Sequence, residues 1–552
     1  MLKQVKPHAN TWTIDLTLLT IVIGLVYILF LGYPPLAVPD EARYSEIPRE
    51  MLALRDFITP HLNLIKYFEK PPLFYWMQTI SIQLFGLSEW SMRLMTMLMG
   101  LTGCLLTYTT ARLLFNRTTG LLSAAILSSC FLYYGMSHLI TLDMTFGTFI
   151  TGTLFSFLLA VNSTSNKSRR GFMTLCAVSC ACAVLTKGLA GLILPGMVIF
   201  LWLLIFNEWK QLKTLFIPGA MIIFLIITVP WHVLIQQKNP EFFHYYFITQ
   251  QFSRYFTLSA GRYQPNWFFI PILLTGIFPW TGFLFQALWH HCKSLKRHFQ
   301  LNKNAGFLLL WATLIFTFFS VSHSKLIPYI IPVFAPLAIL IGSYLTLEKR
   351  NPLGVSLFIV LSLTFAAGAI ISQPYIPATP TAAIHLTLLA TVLSIGAIST
   401  GIFYVRNTRY WFATMLLTSA LAYPIINTTI PHIDDRSIKS LAMDLKPMLE
   451  PGDIVINYKH YYQDLPFYIE RETLIADWRN ELDFGATHQE NGPERLINIE
   501  DAMALWNSDK TVYALTRSQY YDELLEQTPS VRLFLISRTP SNVLISNKDP
   551  NK

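Results

Sequence analysis

The chain has 552 residues, 53% of them hydrophobic and only 13% charged, against roughly 25% charged in ordinary soluble domains. That balance excludes a soluble multi-domain protein, a disordered chain and a collagen-like one. The net charge of +9 conceals a split: from Ile433 onward there are 20 acidic and 13 basic residues, net −7, while the rest carries +16.

Lys3 and Lys6 precede an apolar stretch at about Thr13–Gly32, which reads as a signal anchor long enough to span the bilayer. Twelve further runs of nearly spanning length lie at about 92–111, 118–136, 143–162, 171–187, 189–207, 214–235, 267–289, 306–321, 326–346, 353–373, 382–404 and 410–430. One more, Pro71–Leu87, opens on two prolines and includes Gln78, Ser81 and Gln83. If it lies along the interface as an amphipathic helix, 13 spans remain. The loops on the N-terminal side then hold 17 basic residues, from Lys3 to Arg409, and only Glu208 and Glu348 oppose them. If it crosses, most of those loops flip outward against the positive-inside rule. The segment is therefore predicted to be interfacial, with the N-terminus cytoplasmic and the tail outside the cytoplasm. The basic excess sits between spans, so it reports orientation and not nucleic-acid binding.

On the outer face this topology leaves two long loops, about 33–91 and 236–266, and nine of the 12 acids that precede the tail. The spans are nearly free of charge, and no inverted repeat is evident. A flippase or transporter predicts the opposite, ionisable residues along a path across the bilayer. Among the six cysteines, Cys176, Cys180 and Cys182 cluster inside an apolar run and read as buried apolar side chains.

After Thr429 the composition becomes that of a soluble domain, and the chain divides into a membrane domain, 1–430, and a tail, 431–552. Helix-like segments near 437–449, 499–507 and 518–527 alternate with strand-like ones near 453–457, 473–476, 511–516, 533–537 and 542–546. This pattern predicts a small α/β domain. It holds no phosphate-binding glycine loop, and no chemistry is assigned to it.

The first outer loop begins Pro39-Asp40-Glu41-Ala42-Arg43-Tyr44, a helix start with acids in the first turn. It reads either as a solvated helix with internal ion pairs or as a site, because Asp40 emerges beside a span where a carboxylate needs a partner. Asp143 stands alone at the mouth of another span, either as a helix cap or as a functional carboxylate. His138 reads as a packing residue. The second loop runs through Glu241 and a group of aromatics to Arg254, and the turn Ser322-His323-Ser324-Lys325 leads to Tyr329. Arginine, lysine and tyrosines at one interface serve as headgroup anchors or, with acids from other loops, as a site for a phosphorylated lipid.

PDEARYSEIPREML, the Tyr-Phe-Glu-Lys-Pro-Pro element at Tyr67–Pro72, the loop Asp143, the Arg254 loop and SHSKLIPYIIP resemble the multi-span polyprenyl-phosphate-sugar glycosyltransferases of the GT-C fold. Within them the chain is most similar to the bacterial transferases that place 4-amino-4-deoxy-L-arabinose on lipid A. The wider group includes protein O-mannosyltransferases. The resemblance implies an α-helical integral membrane protein of about 13 spans, with a small periplasmic α/β domain, in the bacterial inner membrane. It places Asp40 and Asp143 at the reacting centre, with Lys70, Arg254 and Tyr329 around the donor's phosphate. Glu41 and Tyr67 fall among its substrate-binding groups. It implies a divalent metal such as zinc on Glu69 and, through a histidine near the last span, on His432. The implied partners are a polyprenyl-phosphate-linked sugar, a lipid A or other periplasmic acceptor, and membrane lipids. Transfer to protein or another glycan, a flippase, and a non-catalytic scaffold that presents the tail are the competing expectations.

Overall fold

The computed structural model describes residues 9–253, 263–347, 352–376, 379–490, 492–527 and 533–549. Two compact units divide the chain. One comprises residues 1–31, 93–234 and 243–429, the other residues 32–92, 235–242 and 430–552.

The first unit is helical, and each of the 13 expected runs falls on a helix or a bent helix pair. Among the described residues, ten helices are long and apolar enough to cross a membrane. Two more runs are broken: Arg117–Ser129 with Phe131–Ser137, bent by 68°, and Phe269–Gly276 with Thr281–Arg297, bent by 106°. The run expected at 189–207 is Ala190–Phe206, 17 residues and so about 26 Å long, short of the roughly 30 Å hydrocarbon core.

A broken helix inside a membrane frees backbone groups that lipid cannot satisfy. Here the two breaks answer each other. Phe131 N donates to Phe278 O at 3.0 Å. Tyr423, on the last apolar helix, directs its hydroxyl to Ser129 O at 2.8 Å and Phe278 O at 3.0 Å. Trp280 Nε1 donates to Ser129 Oγ at 2.9 Å. Asp15, buried in the first helix Ala9–Ile28, is likewise compensated by Arg112, Arg117 and Tyr108 at 2.6–2.7 Å.

In the second unit, Pro39 precedes the helix Asp40–Leu54, a short hairpin pairs β1 (His61–Leu62) with β2 (Ile65–Lys66), and Leu73–Phe85 forms a helix. Those 13 residues rise about 20 Å, too little to cross, as the interfacial reading requires. The tail adds a six-stranded sheet of β3 (Ile454–Tyr458), β4 (Leu474–Ala476), β5 (Leu496–Ile497), β6 (Val512–Arg517), β7 (Phe534–Arg538) and β8 (Asn542–Ser546). Their order is β5-β4-β3-β6-β8-β7, the first four parallel and the last two antiparallel. Ile456, Ala514, Val543 and Ile545 form its core with Ala502 and Trp506 of the helix Ile499–Trp506.

The first outer loop and the tail are one packed body. Asn63 Nδ2 donates to Thr473 O at 2.8 Å and Thr473 N returns a bond to Asn63 Oδ1 at 3.0 Å. Lys66 N donates to Gln489 Oε1 at 3.0 Å, and Gln489 Nε2 to Leu64 O at 2.9 Å. Residues 235–242 join through Lys238–Asp56 at 2.6 Å and Lys66–Glu241 at 3.2 Å.

Asp464 is fully buried; Oδ2 accepts from Ser437 Oγ at 3.1 Å and Ile438 N at 3.0 Å. Burial pushes its carboxyl up from 3.8 to about 7. The folded chain then keeps a proton that the unfolded chain releases, so stability falls as pH rises from about 4 to about 7. Asp464→Asn is expected to flatten that slope in thermal melts at pH 5 and pH 8; an unchanged slope assigns it to another group.

Candidate functional site

In the second unit, Asp40 and Glu41 occupy the first turn of the Asp40–Leu54 helix, where its dipole favours acids. Arg43, one turn on, is buried. Its guanidinium lies 3.6 Å from Asp40 Oδ1, and Nη2 donates to Glu481 Oε2 at 2.6 Å. The Asp40 side chain keeps 42% of its exposure and that of Glu481 14%. The helix therefore presents an open carboxylate beside a closed, buried ion pair. Glu41 turns inward and accepts from Ala37 N at 2.8 Å, which braces the entry to the helix.

Tyr67 is buried against this pair. Burial raises its phenol well above the usual range; Arg43 opposes that shift, and Glu69 and Glu481 add to it. Burial also raises the Glu481 carboxyl, against the pull of Arg43. Arg43 Nε and the hydroxyls of Tyr67 and Tyr75 are buried and, among the described residues, have no hydrogen-bond partner. Three such atoms together are unusual in a folded protein and mark a place where a polar ligand or water belongs. Glu69 is buried, and half-buried Lys70 donates from Nζ to Glu69 O at 3.1 Å. His432 closes the turn Ile430–His432, with Nε2 3.4 Å from Tyr33 Oη. Among the described residues no group of three or more His, Cys, Asp and Glu side chains is placed to hold a metal ion.

In the first unit, Asp143 lies in the first turn of Leu142–Asn162 and forms an ion pair with Lys187, the last residue of Asn166–Lys187. Its carboxylate thus reaches another helix. The Lys187 ammonium also lies 4.2 Å from the ring centre of Tyr329. Asp143, Lys187 and Tyr329 are one constellation. Lys325, by contrast, is committed to backbone carbonyls, donating to Ser322 O at 2.5 Å and Gln264 O at 2.7 Å. His138 is packing, stacked on Tyr134 with ring centres 4.1 Å apart. Arg254 lies outside the described residues.

Sequence reasoning missed Lys187, Arg43 and Glu481. Lys187 carried a signal: it ends a helix at the end opposite the basic cluster Lys167–Arg170, alone among apolar residues. Glu481 carried none, because its partner lies more than 400 residues earlier.

Residues 13–246 match the family of dolichyl-phosphate-mannose-protein mannosyltransferases, and residues 441–547 the aminoarabinose transferase C-terminal domain. The crystal structure of ArnT from Cupriavidus metallidurans bound to undecaprenyl phosphate is 28% identical, with a TM-score of 0.86 over 98% of each chain. The fold is therefore that of a GT-C glycosyltransferase, and the chain is a multi-pass membrane enzyme of that class. The undecaprenyl phosphate-alpha-4-amino-4-deoxy-L-arabinose arabinosyl transferase of Erwinia tasmaniensis is 30% identical over 89% of this chain and 90% of its own length. That of Edwardsiella ictaluri is 31% identical over 80% and 81%. The chain belongs to this family of arabinosyl transferases.

Proposed function

We propose that the protein transfers 4-amino-4-deoxy-L-arabinose from undecaprenyl phosphate to a phosphate of lipid A, on the periplasmic face of the bacterial inner membrane. The N-terminus is then cytoplasmic and the tail periplasmic. The observation that carries this reading is likeness along nearly the whole chain to an ArnT bound to undecaprenyl phosphate. Mass spectrometry of lipid A from cells with and without the gene tests it. Loss of the aminoarabinose-bearing species is expected; an unchanged profile moves the acceptor to a protein or another glycan.

In this mechanism an acceptor oxygen attacks the anomeric carbon, the bond to the lipid phosphate breaks, and the configuration inverts. The chain's task is to position both partners and stabilise the leaving phosphate. By the resemblance to the family, Lys70 and Arg254 supply positive charge to that phosphate, and Tyr329 adds a polar group to its binding. Asp40, open at its helix start, orients the acceptor; a phosphate acceptor brings no proton that must be removed at neutral pH. Tyr67 and Glu481, beside the unsatisfied donors around Arg43, offer polar contacts for the sugar and its amine. Glu69 and His432 are the two side chains on which a zinc ion would depend. It would add positive charge at the phosphate, and the steps above rest on the chain's own residues.

Lys187 gives Asp143 its partner, so Lys187→Ala leaves a carboxylate unpaired beside Tyr329. Transfer is expected to fall about 100-fold, while Lys187→Arg, which keeps the charge, retains part of it. Equal activity of Lys187→Ala and wild type in membrane assays removes the ion pair from the site.

A further inference from the structure

The helices Pro352–Ser372 and Pro380–Val405 enclose a groove of about 400 Å³ that the transferase chemistry does not use. Ile359, Leu363, Ala397, Ile398, Ile402 and Val405 line it, and Gly401 opens it: a Cβ there would approach Ile359 Cδ1 at 3.4 Å and larger groups would enter the groove. The lining is aliphatic until one end, where Arg406 contributes a guanidinium.

Arg406 and Arg409 are both exposed on the turn that follows this helix, and the sequence holds no acidic residue from Lys349 to Ile433. An aliphatic slot ending in an exposed cation complements one kind of molecule, a chain-bearing anion with its charge at the interface. Arg is suited to the headgroup end, because its fork binds phosphate oxygens in pairs. An acyl chain gains from filling apolar surface that two helices leave unpacked, since in lipid such association rests on close packing.

We infer that this groove is a binding site for an anionic glycerophospholipid, with one acyl chain along Ile359–Ile402 and the headgroup phosphate on Arg406. The site is separate from the groups assigned to transfer, so the inference does not rest on the proposed acceptor.

Native mass spectrometry of the delipidated full-length protein, with phosphatidylglycerol added back, tests it. Wild type is expected to hold the lipid as a resolved adduct. Gly401→Leu, which fills the slot, and Arg406→Gln, which removes the cation, are each expected to weaken it about tenfold. Neither residue belongs to the transfer machinery, so activity reports that the variants remain folded. Phosphatidylcholine is expected to bind more weakly and inorganic phosphate not at all. Undiminished binding in either variant overturns the site. Equal binding of phosphatidylcholine overturns the headgroup assignment, and stronger, Arg406-dependent binding of undecaprenyl phosphate replaces the ligand.

Discussion

Lys70→Ala is expected to reduce transfer at least 100-fold, and probe assays on membranes with a polyprenyl-phosphate sugar donor should read little above background. The physical reason is the leaving group. Breaking the bond to the anomeric carbon leaves a phosphate with growing negative charge at a membrane interface, where water screens it poorly. A fixed ammonium is worth a few kcal/mol there, so one lost donor costs about 10²–10³ in rate. Lys70 stands directly after buried Glu69 and before Pro71-Pro72, on a half-buried side chain tethered to the Glu69 carbonyl. A thermal melt of the purified variant checks that it folds, so that lost transfer is read against retained stability. Asp40→Asn, which keeps shape and removes charge from an exposed group, should be severely impaired with only a small loss of stability, because Glu481 still pairs with Arg43 at 2.6 Å. Near wild-type turnover in Lys70→Ala removes the lysine from the phosphate site; full activity of Asp40→Asn removes the aspartate.

The second large effect falls on Arg43. Its guanidinium is buried between Asp40 and Glu481, and Glu481 is itself mostly enclosed. Deleting one member of a buried pair strands the other, at a cost of about 3–5 kcal/mol. Arg43→Ala should therefore lower the melting temperature and abolish transfer together, an outcome that does not distinguish structure from function. The pairing resolves it. Arg43→Met with Glu481→Leu removes both charges and keeps apolar volume, so stability should return toward wild type while transfer stays lost. If the double variant also regains transfer, the pair only holds the second unit together. If Glu481→Gln alone leaves transfer and acceptor KM unchanged, the tail contributes no charge to the reaction.

Much of the architecture was legible because the bilayer imposes one strong rule on sequence. Apolar runs of spanning length, with the bias of Lys and Arg between them, locate the long apolar helices of the first unit, though the run expected to end at 289 continues to Arg297 and the short helices Leu212–Leu215 and His244–Ser253 were not anticipated. The same charge bias separated Pro71–Leu87 from the spans, and the structure gives it a helix too short to cross. The tail's strands were readable from alternation and turn residues. The pair β5, Leu496–Ile497, and the helix Leu465–Ile469 were not, since two and five residues carry no period. What escaped sequence reasoning was pairing at a distance. Asp143 looked like a cap because its first-turn position favours acids, and only the packing of two helices supplies Lys187. Helix breaks at Cys130 and around Pro279 were hidden inside continuous apolar runs, because apolarity reports burial in lipid and says nothing of direction. The tail looked chemically empty for a related reason: Glu481 acquires its meaning from Arg43, and Asn63 and Gln489 show how closely those two stretches of chain are joined.

Tyr423 sets a condition on how the membrane unit is completed. Its single hydroxyl lies within hydrogen-bond reach of carbonyls at the breaks of two helices made some 290 and 145 residues earlier. During synthesis both elbows enter the bilayer long before that hydroxyl exists, so each must keep its carbonyl hydrated or borrow another donor until the last span arrives. The final helix is therefore a keystone for parts built far ahead of it. A chain cut before Tyr410 should be captured by membrane quality control even though twelve of its apolar runs are present, and Tyr423→Phe should show the same vulnerability in milder form.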